Sequence, residues 1–175
     1  YWGGDISWMS SGEIHKKRVH EVDGRITVDG LRESAARLLP VGTVLMALAG
    51  QGKTRGTVAV SRVELTTNQS IAAILPSPEH ASDFLYYNLD TRYDELRGES
   101  AGDGGRGGLN LTIIKKLEVL LPPLDEQVTI ASVLGDADDE LEALERRLES
   151  ARAIKIGMMQ ELLSGRIRLP VEAAS

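Results

Sequence analysis

The chain has 175 residues, no cysteine and a formal net charge of −6. That length fits one domain of ordinary size, or a smaller domain with an extended element. The lack of cysteine excludes disulfides and thiolate metal sites, and the acidic balance argues against nonspecific coating of nucleic acid. No apolar run approaches the roughly 20 residues that span a membrane, so we expect a cytoplasmic protein with no membrane partner.

The first 122 residues mix short apolar runs with stretches of helical periodicity. Runs rich in β-branched residues predict strands at 43–49, 56–62, 70–76 and 117–122. Apolar residues at helical spacing predict helices at 30–39 and 78–98. The glycines of 100–110 predict a loop. The sequence therefore predicts a small mixed α/β domain over residues 1–122.

The stretch ALAGQGKT, residues 47–54, fits the relaxed pattern of a nucleotide-binding phosphate loop. A true phosphate loop joins a strand to a helix, because the helix N-terminus offers N–H groups and a favourable dipole to the phosphates. Here Thr54 is followed by Arg-Gly-Thr-Val-Ala-Val, which predicts a strand. We interpret residues 49–56 as the turn of a β-hairpin; an enzyme that binds nucleotide through 47–54 is the alternative.

Other patterns of catalysis or metal binding are weak. His15, His20 and His80 lack the spacing of metal ligands, and the carboxylates of 136–140 would spread around a solvated helix face. Asp103 has no partner base or nucleophile near it in the sequence. We therefore predict no catalytic residue, no metal site and no cofactor on this chain.

Polar and basic side chains concentrate in the predicted loops and turns. Lys and Arg can bind phosphates or read guanine, and Asn and Gln can read adenine. Each segment alone resembles ordinary surface, but several on one small domain favour a DNA-contact face. The candidate residues are Lys16, Lys17, Arg18, Gln51, Lys53, Thr54, Arg55, Asn68, Gln69, Arg106 and Asn110.

After Pro122-Pro123 the sequence changes to one long helical pattern. Small or apolar residues recur at steps that alternate between four and three, as in a coiled coil, with Lys155 as the exception. The seam positions are Ile130, Leu134, Ala137, Leu141, Leu144, Leu148, Ala151, Lys155, Met158 and Leu162. We predict a coiled-coil helix over 123–165 and a tail over 166–175; packing of the stripe on its own domain is the alternative.

Charge is uneven along this predicted helix. Residues 123–150 carry a net charge of −7, and residues 151–168 carry a net charge of +3. Parallel copies would set the two acidic halves side by side, whereas antiparallel copies set each acidic half beside a basic half. We therefore predict antiparallel pairing, with a second copy or with the matching helix of a second half.

Five motifs resemble the specificity subunit of type I restriction-modification enzymes. They are WGGDISWMSSGEI (2–14), LLPVGTVLMAL (38–48), TTNQSIAAILP (66–76), LEVLLPPLDEQVTIASVLGDAD (117–138) and KIGMMQELLSGRIRL (155–169). The resemblance implies an α+β protein in which a target recognition domain reads one half of a split DNA site. A long helix would follow as a spacer that docks the methyltransferase subunits.

The same resemblance implies the partners and leaves the extent of the protein open. Double-stranded DNA, methyltransferase subunits and a restriction/translocase subunit are the implied partners. S-adenosylmethionine, ATP and Mg would act on those subunits and not on this non-catalytic chain. A full subunit of the family has two such units with antiparallel helices, so this chain is a fragment, one half, or a half-length subunit that dimerises. A coiled-coil adaptor with no DNA role is a further alternative.

Overall fold

The computed structural model describes residues 1–50, 53–99 and 109–170. In chain order its strands are β1 (Trp2–Met9), β2 (Arg18–Val19), β3 (Gly24–Ile26), β4 (Val44–Ala47), β5 (Val58–Ser61), β6 (Thr66–Thr67) and β7 (Ile71–Ile74). Its helices are α1 (Val28–Arg32), α2 (Ser82–Asp90), α3 (Tyr93–Glu99), α4 (Leu111–Ile114) and α5 (Leu124–Leu163). A short 3₁₀ helix, Ser11–Lys16, precedes β2.

The chain forms two compact units, Tyr1–Ala131 and a second that begins at Ser132. The first unit contains both β-sheets, and the second consists mainly of the remainder of α5. The architecture is the α+β class that the sequence predicts. In the part of the chain that the structure describes, no helix has both the length and the apolar character needed to cross a membrane.

Two small mixed sheets form the first unit. The three-stranded sheet has the order β3-β1-β6, with β1 antiparallel to β3 and parallel to β6. The four-stranded sheet has the order β2-β5-β4-β7, with β4 antiparallel to both neighbours and β2 parallel to β5. The β4–β5 hairpin and β7 lie where the sequence predicts strands.

The two central strands of the four-stranded sheet, β4 and β5, are buried on both faces. Side chains alternate along a strand, so Leu45 packs with the cluster that contains Met9 and Ile14, while Met46 packs with the cluster that contains Leu85 and Leu89 of α2. A strand that is covered on both sides reads as a continuous apolar run. This explains why β4 and β5 are clear in the sequence.

The predicted helix at 30–39 is wrong in extent. The helix runs over Val28–Arg32, and its N-cap is Thr27, whose side chain accepts a hydrogen bond from the N–H of Gly30 at 3.0 Å. Beyond it, Leu39 exchanges backbone hydrogen bonds with Leu65 at 2.8 and 3.2 Å. Since Pro40 also disfavours helical backbone at Leu39, the second half of the predicted helix is not helical.

The predicted strand at 117–122 is also wrong, because this segment joins no sheet. The side chains of Leu117 and Val119 are partly buried and pack against the core cluster that contains the buried residues of α2. The carbonyl oxygen of Glu118 accepts a hydrogen bond from Arg92 Nη1 at 2.8 Å, where a strand would have a backbone partner. The predicted helix at 78–98 is present as two pieces, α2 and α3, because the chain turns between Asp90 and Tyr93.

The long helix begins at Leu124, directly after the two prolines, as predicted. Asp125 and Glu126 lie in its first turn, where carboxylates interact favourably with the helix dipole. After its last turn, Gly165 has a φ of +73°, the left-handed conformation that glycine adopts at helix ends. With 40 residues, the helix is roughly 60 Å long.

Candidate nucleic-acid interface

Strand order in the four-stranded sheet brings three separate polar segments to one end. β4 runs into a turn, and β5 leaves that turn antiparallel to it. β7 begins with Ile71 opposite Ala47, the last residue of β4. β2 runs parallel to β5, with Arg18 opposite Val60. The segments that precede β2, join β4 to β5 and precede β7 therefore meet here. We call this end of the sheet the turn end; it comprises residues 16–18, 53–57 and 67–70.

Backbone hydrogen bonds join these segments directly. The N–H of Leu48 donates to the carbonyl of Ser70 at 2.8 Å, and the N–H of Val60 donates to the carbonyl of Lys17 at 2.7 Å. The polar residues around Lys17, Lys53 and Gln69 are thus fixed to one another through the sheet, although 36 and 16 positions separate them in the sequence.

The three basic residues before and at the start of β2, Lys16, Lys17 and Arg18, form what we call the basic segment, and they have different surroundings. Lys16 Nζ lies 3.1 Å from Glu13 and 3.5 Å from Asp23, so its charge is neutralised within the domain. The hydrogen bond to Glu13 raises the pKa of Lys16 above its ordinary 10.5. Arg18 donates to the hydroxyl of Tyr87, and its guanidinium lies 5.7 Å from the centre of that ring. Lys17 is exposed, and in the described residues it has no ion-pair partner.

The backbone of Lys17 has an uncommon conformation. Its φ is +55° and its ψ is −70°, close to the rare γ-turn with positive φ. Lys17 is the only described residue other than glycine with positive φ. Its N–H donates to Ile14 at 3.3 Å and its carbonyl accepts from Val60, so both ends of the peptide are held. Such strain costs on the order of 1–3 kcal/mol.

The described residues of the phosphate-loop pattern, 47–50 and 53–54, lie at the end of β4 and before its antiparallel neighbour β5, as the sequence predicts. No helix follows Thr54, because residues 53–57 form turns and β5 begins at Val58. Gly56 has a φ of +83° and packs against α3, with Leu96 Cβ 3.5 Å from the position that a Cβ would occupy. The turn therefore lacks the helix N-terminus on which phosphate-loop binding depends.

α3 supports this turn through two residues that the sequence did not single out. The hydroxyl of Tyr93 donates to the carbonyl of Lys53 at 3.0 Å and accepts from Arg97 Nη1 at 2.7 Å. The guanidinium of Arg97 also lies 5.5 Å from the centre of the Tyr93 ring. A second cation is thereby placed beside Lys53. No local pattern in the sequence could reveal the contact between Tyr93 and Lys53, because these residues are 40 positions apart.

The candidate amides also differ in what they can offer a ligand. Asn68 Oδ1 accepts from the N–H of Ser70 at 3.1 Å, and Asn110 Oδ1 caps α4 by accepting from Thr112 and Ile113 at 2.9 and 3.0 Å. Their amide NH₂ groups remain as donors. Gln69 is exposed two residues before β7 begins. The candidates Gln51 and Arg106 lie outside the described residues.

The predicted seam runs along the exposed surface of α5. Leu141, Leu144 and Leu148 are 57%, 53% and 50% exposed, so about half of each apolar side chain is open to a partner. Ile154 and Met159 flank the seam near its C-terminal end and are 60% and 48% exposed. The apolar face is therefore wider in that part of the helix.

Two relatives in sequence are named as specificity subunits, and one family profile covers most of the chain. Residues 1–151 match the family described as type I restriction modification DNA specificity domain. The specificity subunit of the type I restriction enzyme MjaIX from Methanocaldococcus jannaschii is 29% identical over 164 residues, which are 91% of this chain and 37% of that protein. The EcoR124I/EcoR124II specificity subunit from Escherichia coli is 23% identical over 141 residues, 79% of this chain and 35% of that protein.

Solved structures share the fold. A chain from a study of complex assembly and conformational transition of the type I R-M system superposes with a TM-score of 0.72 at 17% identity, over 93% of this chain and 38% of that chain. The S subunit of a type I restriction-modification system from M. genitalium gives 0.58 at 20% identity, over 92% and 39% of the two chains. This chain thus spans little more than a third of the length of these proteins.

Proposed function

Because the chain belongs to the family of type I restriction modification DNA specificity domains, we propose that its first unit recognises one half of a bipartite DNA site. The observation that carries this proposal is the convergence of three polar segments at the turn end. Lys17 and Lys53 are exposed cations there, and Gln69 is an exposed amide. Cations bind phosphates regardless of sequence, whereas amides can read base edges, so the turn end offers both kinds of contact that specific recognition uses.

The chain acts in this proposal as a cytoplasmic, non-catalytic component. Its turn end supplies hydrogen-bond donors but no nucleophile with an adjacent base. The chemistry would belong to partner subunits, with S-adenosylmethionine on the methyltransferase and ATP with Mg on the restriction subunit. The phosphate-loop alternative loses its structural basis, because β5 and not a helix follows the turn.

The long helix serves as the spacer and as the docking element for the partners. Its charge changes from a net −7 over residues 123–150 to a net +3 over 151–168, which favours antiparallel pairing with a second copy or a second half. The pairing would use the seam from Ile130 to Leu162. The wider apolar face around Ile154 and Met159 exceeds what one helix covers in a two-stranded coil, which supports a further helical partner at that end.

Methylation mapping tests the proposal in a host that carries the complete system. Single-molecule sequencing should find a methylated motif of two short sequences separated by unread base pairs. Deleting the gene for this chain should abolish methylation at that motif and at no other. A motif that stays methylated after the deletion would assign recognition to a different protein.

A further inference from the structure

A groove of about 620 Å³ lies beside the turn end, within the range of about 300–1,000 Å³ usual for ligand sites. One wall is the segment 34–39, and the other is β7 with the residues before it, including Asn68 and Gln69. Leu111, at the start of α4, also lines it. Because β7 is an edge strand of the four-stranded sheet, we call this feature the β7 groove.

The polar lining of the β7 groove suits an anion. Arg37 is exposed on one wall and Gln69 on the other, and neither has a hydrogen bond or ion pair within the described ranges of the chain. Asn68 uses its Oδ1 for Ser70, which leaves its NH₂ as a donor. No Asp or Glu is among the described residues that line the groove, so nothing there neutralises Arg37.

Apolar side chains complete the lining. Trp8 and Leu111 face the groove together with small residues such as Ala73. The alanines leave the groove open, and the larger side chains offer an uncharged surface. A ligand that alternates charged and uncharged groups would match this arrangement better than a free anion.

We propose that the β7 groove holds one sugar–phosphate strand of duplex DNA that continues from the turn end. The inference rests on the proposed function and adds Arg37 as a phosphate contact. The backbone strands are the ridges of a duplex, so a concave groove fits a strand, whereas projecting turns fit between strands. Phosphate oxygens accept from Arg37 and Asn68, which leaves Gln69 for base edges, and deoxyribose packs against Trp8 and Leu111. Contacts of this kind fix the register of a protein on DNA without reading sequence.

The first test compares Arg37→Ala with Arg32→Ala. Both variants remove one positive charge from neighbouring exposed positions, but Arg32 lies outside the groove and pairs with Asp29 and Glu33. The probe is a mixed-sequence duplex of about 30 base pairs, roughly three helical turns. Arg37→Ala should bind it roughly tenfold more weakly at about 0.1 M salt and lower the salt slope by about 0.9. Arg32→Ala should bind like the wild type.

A second pair of variants fills the groove without removing Arg37. Ala73 is exposed in β7, so larger side chains there leave the core intact. Ala73→Gln should weaken duplex binding by bulk alone, and Ala73→Glu should weaken it several-fold further through repulsion of the phosphates. If both variants bind the duplex as tightly as the wild type, the DNA strand does not lie in the groove.

The outcomes separate this inference from the proposed function. If the wild type binds duplex DNA and Arg37→Ala binds equally well, the groove proposal fails while the proposed function stands. If Arg37→Ala relaxes preference at one base pair without a general loss, Arg37 reads a base, for instance an extruded one, and the strand proposal is wrong. If the wild type binds no duplex, both proposals fail together.

Discussion

At the scale of single residues, Lys17 combines backbone strain with an exposed charge. Its φ of +55° is one that glycine would adopt without a steric cost. A lysine at this position therefore lowers stability relative to glycine, and a role of its side chain in binding the ligand would offset that cost. Lys17 therefore has both the strained backbone and the exposed charge that the proposed DNA contact uses.

Comparing Lys17→Gly with Lys17→Ala separates strain from charge. Both variants lose the ammonium group, but only glycine relieves the backbone. We expect Lys17→Gly to have a free energy of unfolding about 1 kcal/mol above that of Lys17→Ala, measured by urea unfolding. Both should lose the same fraction of duplex affinity. If glycine gives no gain in stability, Lys17 is not strained as described.

Glu13 holds the basic segment in place. Its carboxylate accepts from the N–H of Ser10 at 3.1 Å and of Asp23 at 3.0 Å, and from Lys16 Nζ at 3.1 Å. Burial by itself raises the pKa of Glu13, but the hydrogen bonds from Asp23, Ser10 and Lys16 outweigh it and bring the pKa below its ordinary 4.5. The ionised form is thus preferred in the folded state.

Glu13→Gln should therefore destabilise the domain in a pH-dependent way. A depressed folded pKa stabilises the protein above the unfolded pKa, and this contribution is lost as the pH falls through the folded value. Hydrogen bonds to a charged group contribute about 1.5–3 kcal/mol each at most, so we expect a loss of roughly 2 kcal/mol at pH 7. The loss should shrink below pH 4.5. Urea unfolding at several pH values measures it, and a pH-independent loss would contradict the assignment.

At the scale of elements, strands that are continuous apolar runs were predictable from the sequence, and strands of two residues were not. β4, β5 and β7 are apolar runs, whereas β2 and β6 contain two residues each and leave no periodic signal. β1 carries two adjacent glycines, Gly3 and Gly4, which weaken a strand pattern. Segment 117–122 has strand composition but lies outside both sheets, because sheet membership is decided by distant neighbours.

The first turns of α5 are fixed by Gln127, which is 1% exposed. Its side chain accepts from the N–H of Ala81 at 2.9 Å and donates to the carbonyls of Glu79 and Pro122 at 3.3 and 2.8 Å. One amide thus joins the start of the helix to the loop before α2. Local periodicity places Gln127 on a helix but cannot indicate that it is buried.

Gln127→Ala should therefore lower the free energy of unfolding far more than the same substitution elsewhere on α5. It leaves the partly buried backbone N–H of Ala81 and the carbonyls of Glu79 and Pro122 without this side-chain partner, and an unsatisfied group costs about 1–3 kcal/mol when it is fully buried. We expect at least about 2 kcal/mol of lost stability in urea unfolding, followed by tryptophan fluorescence. Gln160→Ala, at an exposed position, should change stability by less than about 0.5 kcal/mol. If both variants lose a similar free energy of unfolding, Gln127 does not fix the start of α5.

At the scale of the whole molecule, the long helix was predictable, and the proposed DNA face was predictable only in its parts. A heptad pattern needs no tertiary information, and α5 spans nearly the predicted range. The candidate polar segments could be named from sequence, but their meeting at the turn end depends on the strand order β2-β5-β4-β7. Arg37 was missed because its segment reads as a helix and is not one.

Pairing of α5 is testable with a double variant of the seam. Leu141→Asp with Leu148→Asp places two charges on the apolar stripe, so light scattering should show a lower mass if two copies pair. Ala153→Asp with Gln160→Asp adds the same charge at exposed positions outside the seam, and this control should keep the wild-type mass. If the wild type is already monomeric, the seam pairs with the matching helix of a second half of the subunit rather than with a second copy of this chain. A seam variant that keeps a paired wild-type mass contradicts pairing through these leucines.

The most direct measurement of the central claim is duplex affinity as a function of salt for two charge-matched double variants. Lys17→Ala with Lys53→Ala removes two exposed cations from the turn end, and Arg146→Ala with Arg147→Ala removes two from the second unit. We predict that the first double variant binds every duplex more weakly, with a salt slope lower by about 1.8, while the second keeps the wild-type slope. Identical slopes for the two double variants would contradict a DNA-binding face at the turn end.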